Sequence, residues 1–251
     1  MGGAIARAIL SHPESNIELT VSNRSDKKLR HLANDFPGVK TTTDNVEAVR
    51  GADMLILAVK PYVLPAVKEE LADVTLPKSI VSVVAGTGTA ELENMFGRGR
   101  AYFYAIPNTP VMCGKGLTFI STRNANVSET EKVVEIFSLA GEAMVIEERL
   151  MPAAMALCSC GVAYAFKYIQ ACVQAGVELG FSPVEAQRLS VSTVEGAMEL
   201  LKQPGATPQS EINRVTTPGG MTIKGINCLE RTGFVPSVIE SIKAPLKNEK
   251  I

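Results

Sequence analysis

The stretch Met54-Leu55-Ile56-Leu57-Ala58-Val59-Lys60-Pro61 decides the fold. Its first six residues are all apolar, which is typical of a strand buried on both faces of a parallel sheet. The run ends at Lys60-Pro61, and a helical pattern continues to about Leu71. A second buried strand, residues 80–84, follows and ends at Ala85-Gly86. A strand, a helix and a second strand in this order predict a parallel α/β sheet.

The same alternation extends in both directions from this stretch. The predicted helices are residues 1–10, 26–36, 44–50, 89–96 and 128–139, and the predicted strands are residues 17–21, 39–41, 101–105, 116–121 and 143–146. The last two strands are expected at the edge of the sheet. The pattern predicts a Rossmann-like parallel sheet with helices on both faces, in which ligands bind beyond the carboxyl ends of the strands.

The chain opens on a helix where a dinucleotide-binding fold opens on a strand. Such folds begin with a strand and Gly-x-Gly-x-x-Gly, whose third glycine lies in the first helix. Gly2 or Gly3 can be that third glycine, while the strand and the first two glycines are absent from residues 1–251. We therefore predict an α/β Rossmann-like sheet whose first strand is missing, with Gly2 as a cofactor-binding residue.

The pattern becomes wholly helical after about residue 148. Helices are predicted over residues 151–180, 182–202, 222–232 and 235–246, so we predict a dinucleotide-binding domain at 1–148 and a helical dimerisation and substrate domain at 149–251. Residues 151–180 carry only two charges, Lys167 and Glu178. Because small residues dominate that helix, we expect it to pack against other helices across a subunit interface and not to span a membrane.

The composition argues against several classes of function. A net charge of −1 without a basic stripe argues against nucleic-acid binding. Five cysteines in apolar surroundings, with no secretory segment before them, predict reduced thiols in a cytoplasmic protein. Cys158 and Cys160 have no second ligand pair nearby, and both histidines are distant in sequence, so we expect no metal site.

Polar and small residues follow the predicted strands where a ligand would bind. These strand-end clusters are Ser22-Asn23-Arg24-Ser25, Ala58-Val59-Lys60-Pro61, Val83-Val84-Ala85-Gly86 and Pro107-Asn108-Thr109. The first cluster has an arginine and hydroxyls and no carboxylate before Asp26, which favours NADP(H) over NAD(H). The alternative for this cluster is a solvated loop that caps the next helix.

A turn late in the chain opens another helix. This Pro-Gly-Gly turn lies within the stretch Arg214-Val215-Thr216-Thr217-Pro218-Gly219-Gly220-Met221-Thr222. The helical pattern that follows ends near Gly233. Free N–H groups at such a helix start can donate hydrogen bonds to a carboxylate or phosphate. The alternative is an ordinary helix capped by Thr217 or Thr222.

Taken together, these motifs resemble the pyrroline-5-carboxylate reductases. The similarity covers the entire chain, and its most specific motif is the run from Thr216 to Thr222; the other matching residues are Met1 to Ile5, Thr43-Asp44-Asn45, Ala58 to Pro61, Ala85-Gly86, Pro107 to Pro110, Ala156-Leu157, Gly161, Ala163-Tyr164, Val215, Ile223, Gly225, Leu229 and Glu230. The family usually has Ser-Gly-Ser-Gly-Pro-Ala-Tyr where this chain has Cys158-Ser159-Cys160-Gly161-Val162-Ala163-Tyr164.

The resemblance implies NAD(P)H-dependent reduction of L-1-pyrroline-5-carboxylate to L-proline, the last step of proline biosynthesis, by a homodimer or a larger ring. It implies that Asn45, Ala58 to Pro61 and Val83 to Ala85 line the cofactor, and that Met221 and Thr222 lie where the imino acid binds. Our hypothesis is that Thr217, Gly219, Gly220, Met221 and Thr222 form the substrate site. In it, helix-start N–H groups hold the carboxylate, and Thr222 acts catalytically near the ring nitrogen.

Two other functions stay open at this point. Another NADP-dependent imine or 3-hydroxy acid reductase is one, and for the latter Lys167 is the candidate catalytic residue. The other is a truncated paralogue that forms only the helical dimer and cannot hold pyrophosphate. Kinetics of Lys167→Met and titration with NADPH distinguish these alternatives.

Overall fold

A computed structural model describes residues 1–247, and its contacts divide the chain into two units. The first unit extends from Met1 to Ser159, and the second begins at Cys160. The change of pattern near residue 148 lies within the first unit, and the domain limits 1–148 and 149–251 stay a prediction.

Strands and helices alternate through the first unit, as predicted. Its helices are α1 Gly2–Leu10, α2 Asp26–Asp35, α3 Asn45–Val49, α4 Leu64–Glu70, α5 Thr89–Phe96, α6 Val127–Ser138 and α7 Met151–Ala154. Its strands are β1 Thr20–Ser22, β2 Lys40–Thr42, β3 Met54–Leu57, β4 Ser79–Ser82, β5 Ala101–Pro107, β6 Gly116–Arg123 and β7 Gly141–Val145. The prediction for α5 has the same bounds as the helix itself.

The strands form a five-stranded sheet, in the order β3-β4-β5-β6-β7, and a separate parallel pair, β1-β2. β3, β4 and β5 are parallel, and so are β6 and β7. β5 and β6, however, are antiparallel, and β6 lies inside the sheet, so its prediction as an edge strand was wrong. The reason is the short link between them, built around a 3₁₀ turn at Thr109–Cys113, which cannot contain the crossover that a parallel connection needs.

β1 and β3 each have one side without a strand partner among residues 1–247. In the Rossmann strand order the first strand lies at this position, between the strands that correspond to β1 and β3. Met54, Leu55 and Ile56 of β3 are consequently only half-buried, whereas every residue of β4 is buried. Our expectation of a strand buried on both faces is therefore confirmed for β4 and wrong for residues 54–56 of β3.

Two apolar cores cover the two faces of the larger sheet. Ile80 and Tyr102 pack on one face, against residues of α3, α4 and α5. Val81 and Phe103, their neighbours in sequence, pack on the other face, against residues of α1 and α6. This alternation follows from the two-residue period of a strand. Helices cover both faces of the sheet, as expected for a Rossmann-like unit.

The predicted long helix over residues 151–180 is interrupted. α7 ends at Ala154, residues Met155–Ser159 form a π-helical turn, and α8 begins at Gly161. The turn includes two residues of the Cys158-Ser159-Cys160 departure from the family pattern, and π-helical turns occur often at functional sites.

The second unit contains helices only. They are α8 Gly161–Glu178, α9 Pro183–Leu201, α10 Pro208–Val215, α11 Met221–Arg231 and α12 Phe234–Lys243, followed by a 3₁₀ turn at Ala244–Leu246. α9 begins with a capping box formed by Ser182 and Glu185. α10 was not predicted, although Thr207 and Ser210 form a capping box there, with Pro208 at the first helical position.

The second unit buries little of its apolar surface within one chain. Of the residues from 160 to 247, Ala186 alone is buried, while Leu179 and Val184 are each 80% exposed. Residues Glu148–Glu178 form one helical stretch that by length and composition alone could cross a membrane. One such stretch is weak evidence, because a core helix of a soluble protein passes the same test.

Candidate functional site

The loop after β1 brings together two residues that separate arguments assigned to the cofactor. Ser22 Oγ donates a hydrogen bond of 2.7 Å to Asn45 Oδ1 at the start of α3. The Asn45 amide in turn donates to Glu70 Oε2 at 2.5 Å. Glu70 lies at the end of α4, and the sequence carried no signal for this contact because the pair is separated by 25 residues.

Hydrogen bonds to backbone carbonyl groups hold the rest of this loop, and the Arg24 side chain is exposed. Asn23 N–H donates to Thr42 O at 3.2 Å, and its side-chain amide donates to Ser25 O at 3.0 Å. Arg24 and Ser25 are exposed. Asp26, the first carboxylate after Arg24, pairs with Arg30 at 2.7 Å. An exposed guanidinium beside hydroxyls fits a 2′-phosphate.

α1 begins close to the end of β3. A Cβ atom on Gly2 would lie 2.8 Å from Ala58 Cβ, so this close approach requires glycine. No side chain caps α1, whose N-cap is Met1. The first N–H groups of a helix have no partner within the helix, and here they are available to an anion such as a pyrophosphate.

The loops after β3 and β4 present small and exposed residues. Ala58, Lys60 and Pro61 are exposed after β3, and Val59 is half-buried. After β4, Val83 N–H donates to Leu57 O at 2.9 Å and extends the ladder between the two strands. The remaining candidates there are Val84, which is fully buried, and Ala85, which is exposed. Val84 can therefore face a ligand only through its backbone.

Pro107 and Asn108, at the end of β5, are buried. Asn108 Oδ1 accepts from Leu117 N–H at 2.9 Å, and its amide nitrogen donates to Cys158 O at 3.4 Å. Both ends of this side chain are thus engaged by the β5–β6 turn and by the π-helical turn. Asn108 supports the strand end, and a role in cofactor binding stays a prediction.

The predicted substrate loop leads into α11 without a side-chain cap. The N-cap is Gly220, so the alternative of a cap by Thr217 or Thr222 is wrong. Gly219 has a φ of +73°, and Gly220 N–H donates to Thr217 O at 3.0 Å, which closes the turn. A Cβ atom on Gly220 would lie 2.6 Å from Thr217 Oγ1. Gly220 N–H is therefore already engaged, and the uncapped first turn of α11 begins with Met221 and Thr222, both exposed.

Other candidate residues are placed as follows. Lys167 Nζ donates to Gln170 Oε1 at 2.9 Å on the exposed side of α8.

Burial raises the pKa of the Cys158 thiol, and all five cysteines are free. Ser159 Oγ is buried and has no hydrogen-bond partner among the described residues. No group of three metal-ligating side chains occurs within residues 1–247.

Two residues that sequence reasoning missed support the loop after β4. The Glu148 carboxylate accepts from Thr89 N–H at 2.9 Å and from the Thr89 hydroxyl. The Tyr104 hydroxyl accepts from Gly86 N–H at 3.2 Å, and burial raises the pKa of this phenol. No local pattern signals these contacts, since Glu148 and Thr89 are 59 residues apart.

The fold and these strand-end loops define an oxidoreductase with a Rossmann-like dinucleotide-binding unit and a helical second unit. A family model for pyrroline-5-carboxylate reductase dimerisation matches residues 148–250, and one for NADP oxidoreductase, coenzyme F420-dependent, matches residues 1–86. Pyrroline-5-carboxylate reductase 2 of Dictyostelium discoideum is 33% identical, over 96% of this chain and 86% of its own length. The Aquifex aeolicus enzyme is 36% identical, over 92% of this chain and 86% of its own length. The chain belongs to the pyrroline-5-carboxylate reductase family.

Solved structures agree with this assignment. A pyrroline-5-carboxylate reductase from Coxiella burnetii has a TM-score of 0.89 at 29% identity, covering 97% of this chain and 93% of that one. The Plasmodium falciparum pyrroline carboxylate reductase, solved with NADP bound, has a TM-score of 0.80 at 28% identity and covers 98% of this chain and 91% of that one.

Proposed function

We propose that this protein reduces L-1-pyrroline-5-carboxylate to L-proline with NADPH as the hydride donor. The observation that carries the proposal is the uncapped start of α11, where a glycine turn presents Met221, Thr222 and free N–H groups. The names of the relatives and the NADP in the Plasmodium structure support the choice of reaction and cofactor.

The residues of the first unit fit NADP(H). The adenosine ribose and its 2′-phosphate would be held by Ser22, Asn23, Arg24, Ser25 and Asn45. Gly2, at the uncapped start of α1, would hold the pyrophosphate. The nicotinamide half would be held by the loops that follow β3, β4 and β5, which contain Ala58, Val59, Lys60, Pro61, Val83, Val84, Ala85, Pro107 and Asn108. Because Arg24 is exposed and carries the preference for a 2′-phosphate, NAD(H) is the weaker donor.

The chemistry requires orientation more than acid catalysis. When bound, the reduced nicotinamide supplies a hydride to the C=N carbon. The cyclic imine binds already protonated, so its nitrogen needs no further proton. The first-turn N–H groups of α11 hold the substrate carboxylate, with Gly219 and Gly220 shaping the turn and Thr217 closing it. The Thr222 hydroxyl hydrogen-bonds near the ring nitrogen and aligns the ring for transfer.

Thr222→Ala tests the substrate site. The loss of one such hydrogen bond costs roughly 1–3 kcal/mol, or about ten- to a hundredfold in kcat/KM for pyrroline-5-carboxylate. Thr232→Ala is the matched control, because Thr232 lies at the other end of α11 and its hydroxyl donates to Cys228 O at 2.9 Å. Wild-type kcat/KM in Thr222→Ala would remove Thr222 from the site.

Two further measurements address the alternative functions. Lys167→Met should leave reduction of pyrroline-5-carboxylate unchanged, and a large loss of turnover would favour a reductase that uses this lysine as its catalytic residue. Fluorescence titration of the wild type should show saturable binding of NADPH. Absence of binding would favour a cofactor-deficient helical dimer.

The second unit is an oligomerisation domain of the family's dimerisation type. We propose that two chains associate through the exposed apolar surface of these helices to form a homodimer, and that dimers assemble into a ring. Analytical ultracentrifugation gives the number of chains. We also place the protein in the cytoplasm, where its five free cysteines stay reduced, and fractionation of cells tests this.

A further inference from the structure

The first turn of α5 is capped by a residue far away in sequence. α5 begins at Thr89, and its N-cap is Gly88, which has no side chain to cap it. Glu148 takes this role, because its carboxylate accepts from both the N–H and the hydroxyl of Thr89. A Cβ atom on Gly88 would collide with Glu148 Oε1, so glycine is needed here for the carboxylate to reach the helix start.

The β4–α5 loop, residues 83–88, is anchored from the neighbouring strands as well. The Tyr104 hydroxyl of β5 accepts from Gly86 N–H at 3.2 Å, and Tyr104 is only 8% exposed. Ser121 lies opposite Tyr104 in the β5–β6 pair, and its hydroxyl donates to Glu148 Oε2 at 3.3 Å. Tyr104 and Glu148 therefore hold the middle and the end of one loop, while β4 holds its beginning.

These anchors fix the backbone of the loop. Gly86 has a φ of +79°, a left-handed conformation that favours glycine, and the Tyr104 hydroxyl engages its N–H in that conformation. The Glu148 carboxylate satisfies a first-turn N–H of α5 and places a negative charge at the positive end of that helix. Since Val84 is fully buried, this loop can present mainly backbone to a ligand, and backbone is what the anchors position.

We infer that Tyr104 and Glu148 are positioning residues, which hold the β4–α5 loop in the conformation that receives the nicotinamide half of the cofactor. This inference rests on the proposed function, because that function makes Val83, Val84 and Ala85 part of the cofactor site. Neither residue is assigned a contact with the cofactor itself. Their effect passes through Gly86 and Thr89.

The chain offers a matched control for each residue. Tyr102 lies on the same face of β5 as Tyr104, and its hydroxyl donates to Gly97 O at the opposite end of α5. Tyr102→Phe therefore removes a buried hydroxyl from the same helix without touching the loop. Glu147 is exposed and pairs with Arg149 at 2.7 Å, so Glu147→Gln controls for the loss of a charge next to Glu148.

The experiment compares Tyr104→Phe, Glu148→Gln and Glu148→Ala with these two controls in the full chain. The NADPH dissociation constant by fluorescence titration, KM and kcat for each substrate, and the thermal midpoint are measured for every variant. Tyr104→Phe and Glu148→Ala should raise both the dissociation constant and KM for NADPH about three- to tenfold, the effect of one lost hydrogen bond. Glu148→Gln keeps one acceptor and should recover part of this loss.

The control variants decide what the result means. Tyr102→Phe and Glu147→Gln should bind NADPH within about twofold of the wild type, even where the thermal midpoint of Tyr102→Phe falls as far as that of Tyr104→Phe. Equal weakening in Tyr102→Phe and Tyr104→Phe, or wild-type NADPH binding in Tyr104→Phe and Glu148→Ala, would overturn the inference. If the wild type binds NADPH but does not reduce pyrroline-5-carboxylate, and the variants still bind NADPH more weakly, the proposed function fails and the inference stands.

Discussion

The two units of this protein bury apolar surface in opposite ways. The first unit encloses large side chains such as Phe103 and Phe137 almost completely, on both faces of its sheet. In the second unit, as far as residue 247, Ala186 alone is buried, and side chains such as Phe166, at 66%, stay exposed. Both units contain apolar residues in helical spacing. The difference is that the first has a sheet against which its helices pack, and the second does not.

The comparison shows where each unit obtains its stability. Burial of apolar surface is the main favourable term in folding, at roughly 25 cal/mol per Å². The first unit gains this term within one chain. The second can gain it only against another surface, which agrees with its match to a dimerisation domain. Its single-chain contacts are mainly those between α8 and α9, where a Cβ on Gly176 would lie 2.8 Å from Ala186 Cβ.

The largest effect is expected from a cavity in the first core. Phe103→Ala removes a fully buried ring and should lower the free energy of unfolding by about 3–5 kcal/mol. Denaturant titration measures this loss, and the oligomer should persist because association is assigned to the second unit. Phe181→Ala, at a side chain that is 48% exposed, is the contrasting substitution. A similar loss in both variants would mean that the two units do not differ in this way.

A charge on the second unit should act on assembly. Phe166→Glu places a carboxylate on the exposed apolar surface of α8 and should weaken the dimer about ten- to a hundredfold, the cost of burying an unpaired polar group. Sedimentation over a range of protein concentrations measures the dissociation. Gln174→Glu adds the same charge to the same helix at a polar, exposed position and serves as the control. An unchanged dissociation constant for Phe166→Glu would place the interface elsewhere.

Helix caps give a smaller effect that tests each unit separately. α6 of the first unit and α9 of the second both begin with a capping box, from Asn126 and Ser182 respectively. Replacement of either cap by alanine should cost about 1 kcal/mol. Hydrogen exchange should show the loss around α6 in Asn126→Ala and around α9 in Ser182→Ala. Faster exchange throughout both units in either variant would show that they unfold as one.

The smallest expected effect is on the pH dependence of stability in the second unit. Hydrogen bonds from the side chain and backbone of Ser182 hold the pKa of Glu185 below its ordinary value of 4.5. Because the folded-state pKa is the lower one, the stabilisation is present above the unfolded pKa and is lost as pH falls through the folded value. The thermal midpoint of the second unit should thus fall on acidification below about pH 4.5, and less so in Glu185→Gln. An identical pH dependence in Glu185→Gln would exclude this contribution.

Much of the fold could be predicted because it depends on short-range patterns. Buried strands, the two-domain order and the caps at Ser182 and Gly233 follow from spacing and from single residues whose conformations are restricted. The substrate turn could be predicted only in part. Its glycines were placed correctly, but the hydrogen bond that engages Gly220 N–H depends on the geometry of the turn.

The sequence by itself determined most of the strands and helices, with the exception of α10 and of the π-helical turn, because periodicity and turn residues act over a few positions. It also determined the family to which the chain belongs. The tertiary structure alone decided that β5 and β6 run antiparallel and that Glu148 caps a helix that begins 59 residues earlier. Such contacts join residues distant in the chain, and neither partner carries a local preference for the other. Only the closing of the fold brings their polar groups within hydrogen-bonding distance.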